Sequence, residues 1–562
     1  MHGGGAYIAT PHRRESAAPL ASVIVFLTLL TYVRYRITTA HLKRIPGPPA
    51  DAASFWFGHL KQFFARDGAD FQRHVARDYG SVVKMNGFLG SPLLYVADPK
   101  ALHTILIKEE LTWHETPEFI ATNSIVFGAN ALVSTLGAHH SRQRKLLNPV
   151  FSVNHMRHML PLFYNVVYKL RTAIESRVGN SGEPRDIDML GWMSRTALEL
   201  IGQGGLGYSL DPLVQDTTNA YGKALKSLAP GLQSLRLYRK LTVITPKIVP
   251  AWLRRAVVGM FPRGTAVHTL KEIVDTMDFQ SRAIYDAKKA AFYKGDAEVV
   301  KQISEGKDIM SILMRANALA DAADRLSEEE VVAQMSILIF AGMDTTSNAL
   351  SRILYLLAQH PEVQEKLRQE LLSAGAADGI PYDELNRLPF LDSVCRETLR
   401  VYPPVTLLFR AATEDTILPL SEPIYTTDGT RMDEIPVVKG SQVMLGFLGC
   451  NTSKAVWGED AHEWKPERWL SPFPSSVTEA RIPGVYSNIM TFLGGKRACI
   501  GFKFSEMEMK VVLSVLLTKF TFALSDRPIV WNVAAVSYPS ADTYSEKPEM
   551  PLRVGLYKGT QA

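Results

Sequence analysis

The residues best suited to chemistry gather near the carboxyl end, in FLGGKRACIG, Phe492 to Gly501. Cys499 stands just before a helical pattern running from about Phe502 to Thr518. At a helix N-terminus, free N–H groups and the positive end of the dipole stabilise negative sulfur. Gly495 and Gly501 let backbone approach a flat ligand closely, and Arg497 can set a cation beside a carboxylate. These residue types alone fit an inert cysteine in a glycine turn equally well, since free cysteine is among the most buried residue types. The three cysteines, Cys395, Cys450 and Cys499, lie far apart and form no CxxC pair. That spacing argues against a disulfide framework or a structural zinc site and leaves a single functional thiolate open.

A second polar group interrupts the longest helical signal. SEEE at Ser327 supplies an N-cap and a capping-box Glu330, and the pattern runs to about Gln359 before His360-Pro361 ends it. At about 1.5 Å per residue, this rod of nearly 50 Å crosses a whole domain. Its centre reads FAGMDTTS, Phe340 to Ser347, where Gly342 weakens the helix and Thr345 and Thr346 can turn their hydroxyls onto preceding carbonyls. A kink or a satisfied buried cap explains such residues as readily as a functional site does.

The rest of the chain must position these residues. With 562 residues, 46% of them hydrophobic, it can bury a large core. Its 62 basic and 56 acidic residues nearly balance and form no basic patch with interleaved aromatics, which excludes a nucleic-acid role. Helical periodicity dominates, with short β-like runs near Ser81 to Val96 and Ile424 to Met444, the latter carrying an Asp428-Gly429 hairpin signal. No linker or repeat breaks the body, so the expected fold is mainly α with small β-sheets, a single large domain over 51–562. Ahead of it, 1–16 read as a tail and Ala17 to Val33 as an uncharged transmembrane helix of roughly 26 Å. Residues 34–50 form a basic, proline-rich hinge ending in RIPGPP. Arg34, Arg36, Lys43 and Arg44 leave the main domain on the cytosolic side, where Asn451-Thr452-Ser453 escapes glycosylation.

Against this background the carboxyl-terminal segment resembles the haem-binding pattern FxxGxRxCxG of cytochromes P450, at Phe492, Gly495, Arg497, Cys499 and Gly501. Glu397 and Arg400 in ETLR match the family's ExxR pair, and their spacing of three puts both on one helix face. Pro466, Glu467 and Arg468 match its PERF-like element, with Trp464 standing where Phe is common. His140 and Arg144 match a WxxxR element in which His replaces Trp; both types can donate to a haem propionate. Arg410 is similar to the family's second propionate-binding arginine. The resemblance extends from the RIPGPP hinge to beyond Cys499.

The resemblance implies a cytochrome P450 fold and haem b, its iron bound by Cys499. It gives Asp344 and Thr345 the roles of an acid–alcohol pair, Thr345 holding dioxygen and its waters while Asp344 relays protons. The implied reaction is monooxygenation, hydroxylation or epoxidation, fed by a separate NADPH-dependent reductase, with cytochrome b5 as an optional second donor. The implied place is the endoplasmic reticulum membrane, spanned once. Lys496, Arg497, Lys503 and the Arg142 to Lys145 cluster offer a basic docking face. Phe119, Ile125, Phe127, Leu338, Ile339, Leu407, Leu408 and Phe409 would line an apolar pocket, favouring an apolar substrate, a terpenoid first, from secondary metabolism or xenobiotic oxidation. Two rivals are a peroxide isomerase or dehydratase that needs no reductase, and a haem-binding protein without turnover. Asp344 and Thr345 count against the first of these.

Overall fold

The computed structural model describes residues 26, 30, 33, 34, 36–179, 183–214, 220–235, 238–294 and 308–559. The expected membrane anchor, 17–33, lies almost wholly outside them. Among the described residues no helix is long and apolar enough to cross a membrane. The hinge runs against the body: Ile45 is buried, the Pro46 carbonyl accepts from Lys84 N–H at 2.9 Å, and Arg44 does so from Thr427 at 2.7 Å.

The helices that position the candidate residues are α1 (Gly137–Leu147), α2 (Met189–Leu200), α3 (Ala220–Ser234), α4 (Glu328–Gln359), α5 (Pro389–Val401) and α6 (Phe502–Leu517). The spacing had predicted α4 and α6 to within a residue. Most of α4 is buried, with apolar residues on every side of the polar group at its centre, which is what a helix needs to run through the middle of a domain. It packs on α2, on the helix Ala266–Lys294 and on α6. The helix is unbroken through Gly342, so the expected kink brings no loss of helical conformation.

A five-stranded sheet flanks this helical body. Its strands are β1 (Val82–Asn86), β2 (Pro92–Val96), β3 (Trp113–His114), β4 (Leu407–Ala412) and β5 (Gln442–Gly446), in spatial order β1-β2-β5-β4-β3. All pairings are antiparallel except β2 with β5. The predicted run from Ser81 to Val96 thus splits into two strands. That from Ile424 to Met444 resolves into the end of a hairpin, Thr416–Tyr425 with Arg431–Val437, followed by β5. Asp428-Gly429 makes the hairpin turn, with Gly429 at φ +81°. Smaller sheets pair Arg185–Asp188 and Phe520–Leu524 with Pro551–Leu556, and Ile529–Asn532 with Tyr538–Ala541.

The start of α4 is fixed electrostatically. The Ser327 hydroxyl accepts from Glu330 N–H at 3.2 Å, while the Glu330 carboxylate accepts from Ser327 N–H at 2.8 Å and from Arg142 of α1 at 2.7 Å. Burial pushes the Glu330 carboxyl up, but the Ser327 N–H, His139 and Arg142 outweigh it and bring it down to about 2 from its ordinary 4.5. The native state therefore favours the ionised form. The stabilisation is complete above pH 4.5 and is lost as pH falls through about 2. Glu330→Gln should lower stability near neutral pH by up to about 3 kcal/mol and flatten the acid limb of a denaturation curve. An unchanged acid limb would contradict this account of how α4 is anchored to α1.

Candidate active site

The cysteine loop closes on itself. Cys499 N–H donates to the Phe492 carbonyl at 2.9 Å, and Phe492 packs edge-on against Tyr486, ring centres 5.4 Å apart. Gly495 sits at φ +70°, and any Cβ there would lie 2.1 Å from the Leu106 carbonyl oxygen, so glycine is required by sterics. Gly501 differs: a Cβ would meet only the Phe151 ring, at an ordinary 3.7 Å, so no described protein atom demands glycine at that position. The Cys499 sulfur lies deep yet retains accessible surface. Burial pushes its thiol up, against the Gly501 N–H and nearby Arg144, which favour the thiolate. Ala341, in the middle of otherwise buried α4, is also accessible, and Thr345 partly so.

A buried ion network holds the loop. Glu397 and Arg400 of α5 are both 0% exposed and pair through two contacts of 2.8 Å. Glu397 also accepts from Trp469 Nε1 at 2.9 Å, from Lys465 N–H at 3.0 Å and from Arg468 Nε at 3.4 Å. Arg400 spends its other N–H groups on the carbonyls of Asn451, Ala461 and Glu463. The Asn451 side chain then accepts from Met490 N–H at 2.6 Å and donates to Thr491, the residue before Phe492. Thr491 itself donates to Leu399, one residue before Arg400. Glu467, of the PERF-like element, instead pairs with Lys366 at the surface.

A cluster of cations lies beside the loop. His140, Arg410 and Arg497 line one cavity of about 220 Å³. Burial first, then Arg497 and Arg144, pull the His140 imidazole down to about 3, so it is neutral. Its ring makes no hydrogen bond to any described residue. Arg497 donates to the Leu132 and Thr135 carbonyls and pairs with Glu115 at 3.0 Å; Arg410 pairs with the same Glu115 at 3.2 Å. Arg144 donates to the Ala498 carbonyl at 2.9 Å, which ties α1 to the residue before Cys499.

On α4, Thr345 donates to the Ala341 carbonyl at 2.7 Å, as the sequence led us to expect. Thr346 does not turn back: its hydroxyl bonds Ser505 at 3.0 Å and so pins α4 to the start of α6. Asp344 is 3% exposed, accepts from Asn348 at 3.2 Å and pairs with Lys226 of α3 at 2.8 Å.

The cytochrome P450 family model matches residues 46–532. The chain belongs to the cytochrome P450 family. It is 58% identical over 537 residues to cytochrome P450 monooxygenase 81 of Postia placenta, covering 96% of each chain. It is 47% identical over 535 residues to ganoderic acid synthetase CYP5150L8 of Ganoderma lucidum, covering 94% of this chain and 96% of that one. It is a cytochrome P450 monooxygenase, and a haem iron bound by a cysteine thiolate comes with the family. The site fits such a group: it combines the Cys499 sulfur, with Arg144 beside it, and a cavity lined by two guanidinium groups and by a neutral imidazole that has no hydrogen-bond partner among the described residues.

Several expectations for this P450 change. Ile339 is 0% exposed and packs in the core, so it cannot line an open pocket. Ile125 opens instead onto a cavity shared with Asp275, Asp278 and Arg282. The anticipated basic face is largely compensated: Lys496 pairs with Glu110, Lys145 with Asp324 and Arg142 with Glu330. Glu115, Lys226, Asn451 and Trp469 escaped sequence reasoning, because each acts on a partner far away in the chain.

Removing one partner of the buried Lys226–Asp344 pair strands the other charge. Lys226→Met should therefore cost about 3 kcal/mol, and adding Asp344→Asn should recover most of it in a double-mutant cycle. Denaturant midpoints that shift additively would show that the pair is not coupled.

Proposed function

We propose that this P450 carries haem b and inserts one oxygen atom from O2 into an apolar small molecule, by hydroxylation or epoxidation. The reaction would serve secondary metabolism, with a terpenoid as the first substrate class to test. Electrons would come from an NADPH-dependent reductase on the endoplasmic reticulum membrane, with cytochrome b5 optional. Residues 17–33 would be the single membrane anchor, between the tail 1–16 and the hinge 34–50, with the catalytic domain 51–562 in the cytosol. The relative named ganoderic acid synthetase supports the secondary-metabolite reading. The single observation that carries the chemistry is the interior yet accessible sulfur of Cys499, with the Gly501 N–H and Arg144 favouring its negative charge.

When bound, a thiolate-ligated iron porphyrin would supply the activation of O2. The protein's residues do the rest. Cys499 Sγ is the ligand, held at its depth by the Arg400 network and by the Phe492 carbonyl. Phe492, Gly495 and Gly501 shape the turn around it. His140, Arg144, Arg410 and Arg497 bind and orient the carboxylates of the porphyrin. Thr345 Oγ1 can leave the Ala341 carbonyl and hold a proton, while the Asp344 carboxylate passes protons towards it. Glu397, Arg400 and Arg468 are structural.

Expression in microsomes with a reductase, under ¹⁸O2, tests this reading. NADPH-dependent products should carry one labelled oxygen, and Thr345→Ala should keep its haem while forming less product per NADPH consumed. Product formed from hydroperoxides without reductase would favour an isomerase, haem binding without any turnover would favour a carrier, and full coupling in Thr345→Ala would remove that residue from the proton path.

A further inference from the structure

Among the described residues, Glu115 is the acid that pairs with both Arg410 and Arg497, and the fold places it there firmly. In the β3–β4 pairing Trp113 lies opposite Ala412 and His114 opposite Ala411, so the next step along the register brings Glu115 opposite Arg410. Immediately after it, the Thr116 hydroxyl caps the helix Pro117–Val126 by accepting from Phe119 N–H. Glu115 is therefore held between a strand end and a helix start. It is 8% exposed and contacts Arg410 at 3.2 Å and Arg497 at 3.0 Å. It lines the same cavity as His140.

A carboxylate in that position does two things. It fixes the directions of two guanidinium groups whose forks would otherwise have to order themselves when a ligand arrives. It also sets the charge of the cradle. Arg144, Arg410, Arg497 and Lys496 bring four positive charges; Glu115 and Glu110, the partner of Lys496, cancel two and leave a pair for a dianionic ligand edge. We propose that Glu115 is the positioning residue of the haem cradle: it orients Arg410 and Arg497 towards the two propionates and holds the reduction potential of the bound iron down by its own negative charge. This rests on the reading of His140, Arg144, Arg410 and Arg497 as propionate partners.

The test uses the full-length holoprotein, its Glu115→Gln and Glu115→Asp variants, and haem whose propionates are methyl esters. Glu115→Gln keeps size and acceptor oxygen but removes the charge. It should raise the ferric/ferrous midpoint potential, since a nearby anion favours the ferric state, and should speed haem transfer to apomyoglobin about tenfold, a modest share of what breaking a buried charge pair costs. Glu115→Asp should leave the potential near that of the parent. A residue that only supported the loop would leave the potential unmoved. Parent protein that prefers haem to its dimethyl ester, combined with an unchanged potential and haem-loss rate in Glu115→Gln, would overturn this inference alone. A parent that holds both porphyrins equally well would overturn the propionate reading beneath it.

Discussion

The structure is organised around a sulfur atom that must sit inside the protein and still be able to carry a negative charge. Burial by itself opposes that charge and pushes the Cys499 thiol up. The chain answers with a N–H donor from Gly501 and with Arg144 nearby. A bound metal cation would complete the compensation, because metal coordination deprotonates a thiol outright. Everything else in the site concerns keeping that sulfur where it is.

Rigidity comes from charges buried further back. Glu397 and Arg400 have no exposed surface, and such a pair is weak evidence for net stability but strong evidence for a defined geometry once every lone pair and N–H is used. Here they are used: Trp469, Arg468 and the Lys465 N–H donate to Glu397, while Arg400 donates to the carbonyls of Asn451, Ala461 and Glu463. Through Asn451 the network reaches Met490 and Thr491, so the position of Cys499 is set by a helix a hundred residues earlier in the chain. Thr346 and Ser505 make the matching connection from the other wall, joining the centre of α4 to the first turn of α6.

Local signals read well from the sequence, whereas pairings across the fold did not. The capping box at Ser327, the proline that ends α4, the glycine turn at Asp428 and the period of α6 are all determined by neighbours within four residues, and all appear as expected. The cysteine loop, the ExxR pair and the long helix became a site only by resemblance, since each motif alone fits a structural role. Glu115 was invisible because its meaning depends on the register of a two-residue strand. Lys226 was invisible because its partner lies 118 residues away. Ile339 was misread because an apolar residue on a buried helix looks the same from either side, and packing decides which face is buried in the core.

The central claim is the bond between Cys499 and iron, and iron K-edge X-ray absorption of the purified holoprotein tests it most directly. One sulfur scatterer should appear in the first shell of the parent protein and vanish in Cys499→Ala. A first shell of nitrogen and oxygen only, or sulfur that persists in the variant, would contradict the account.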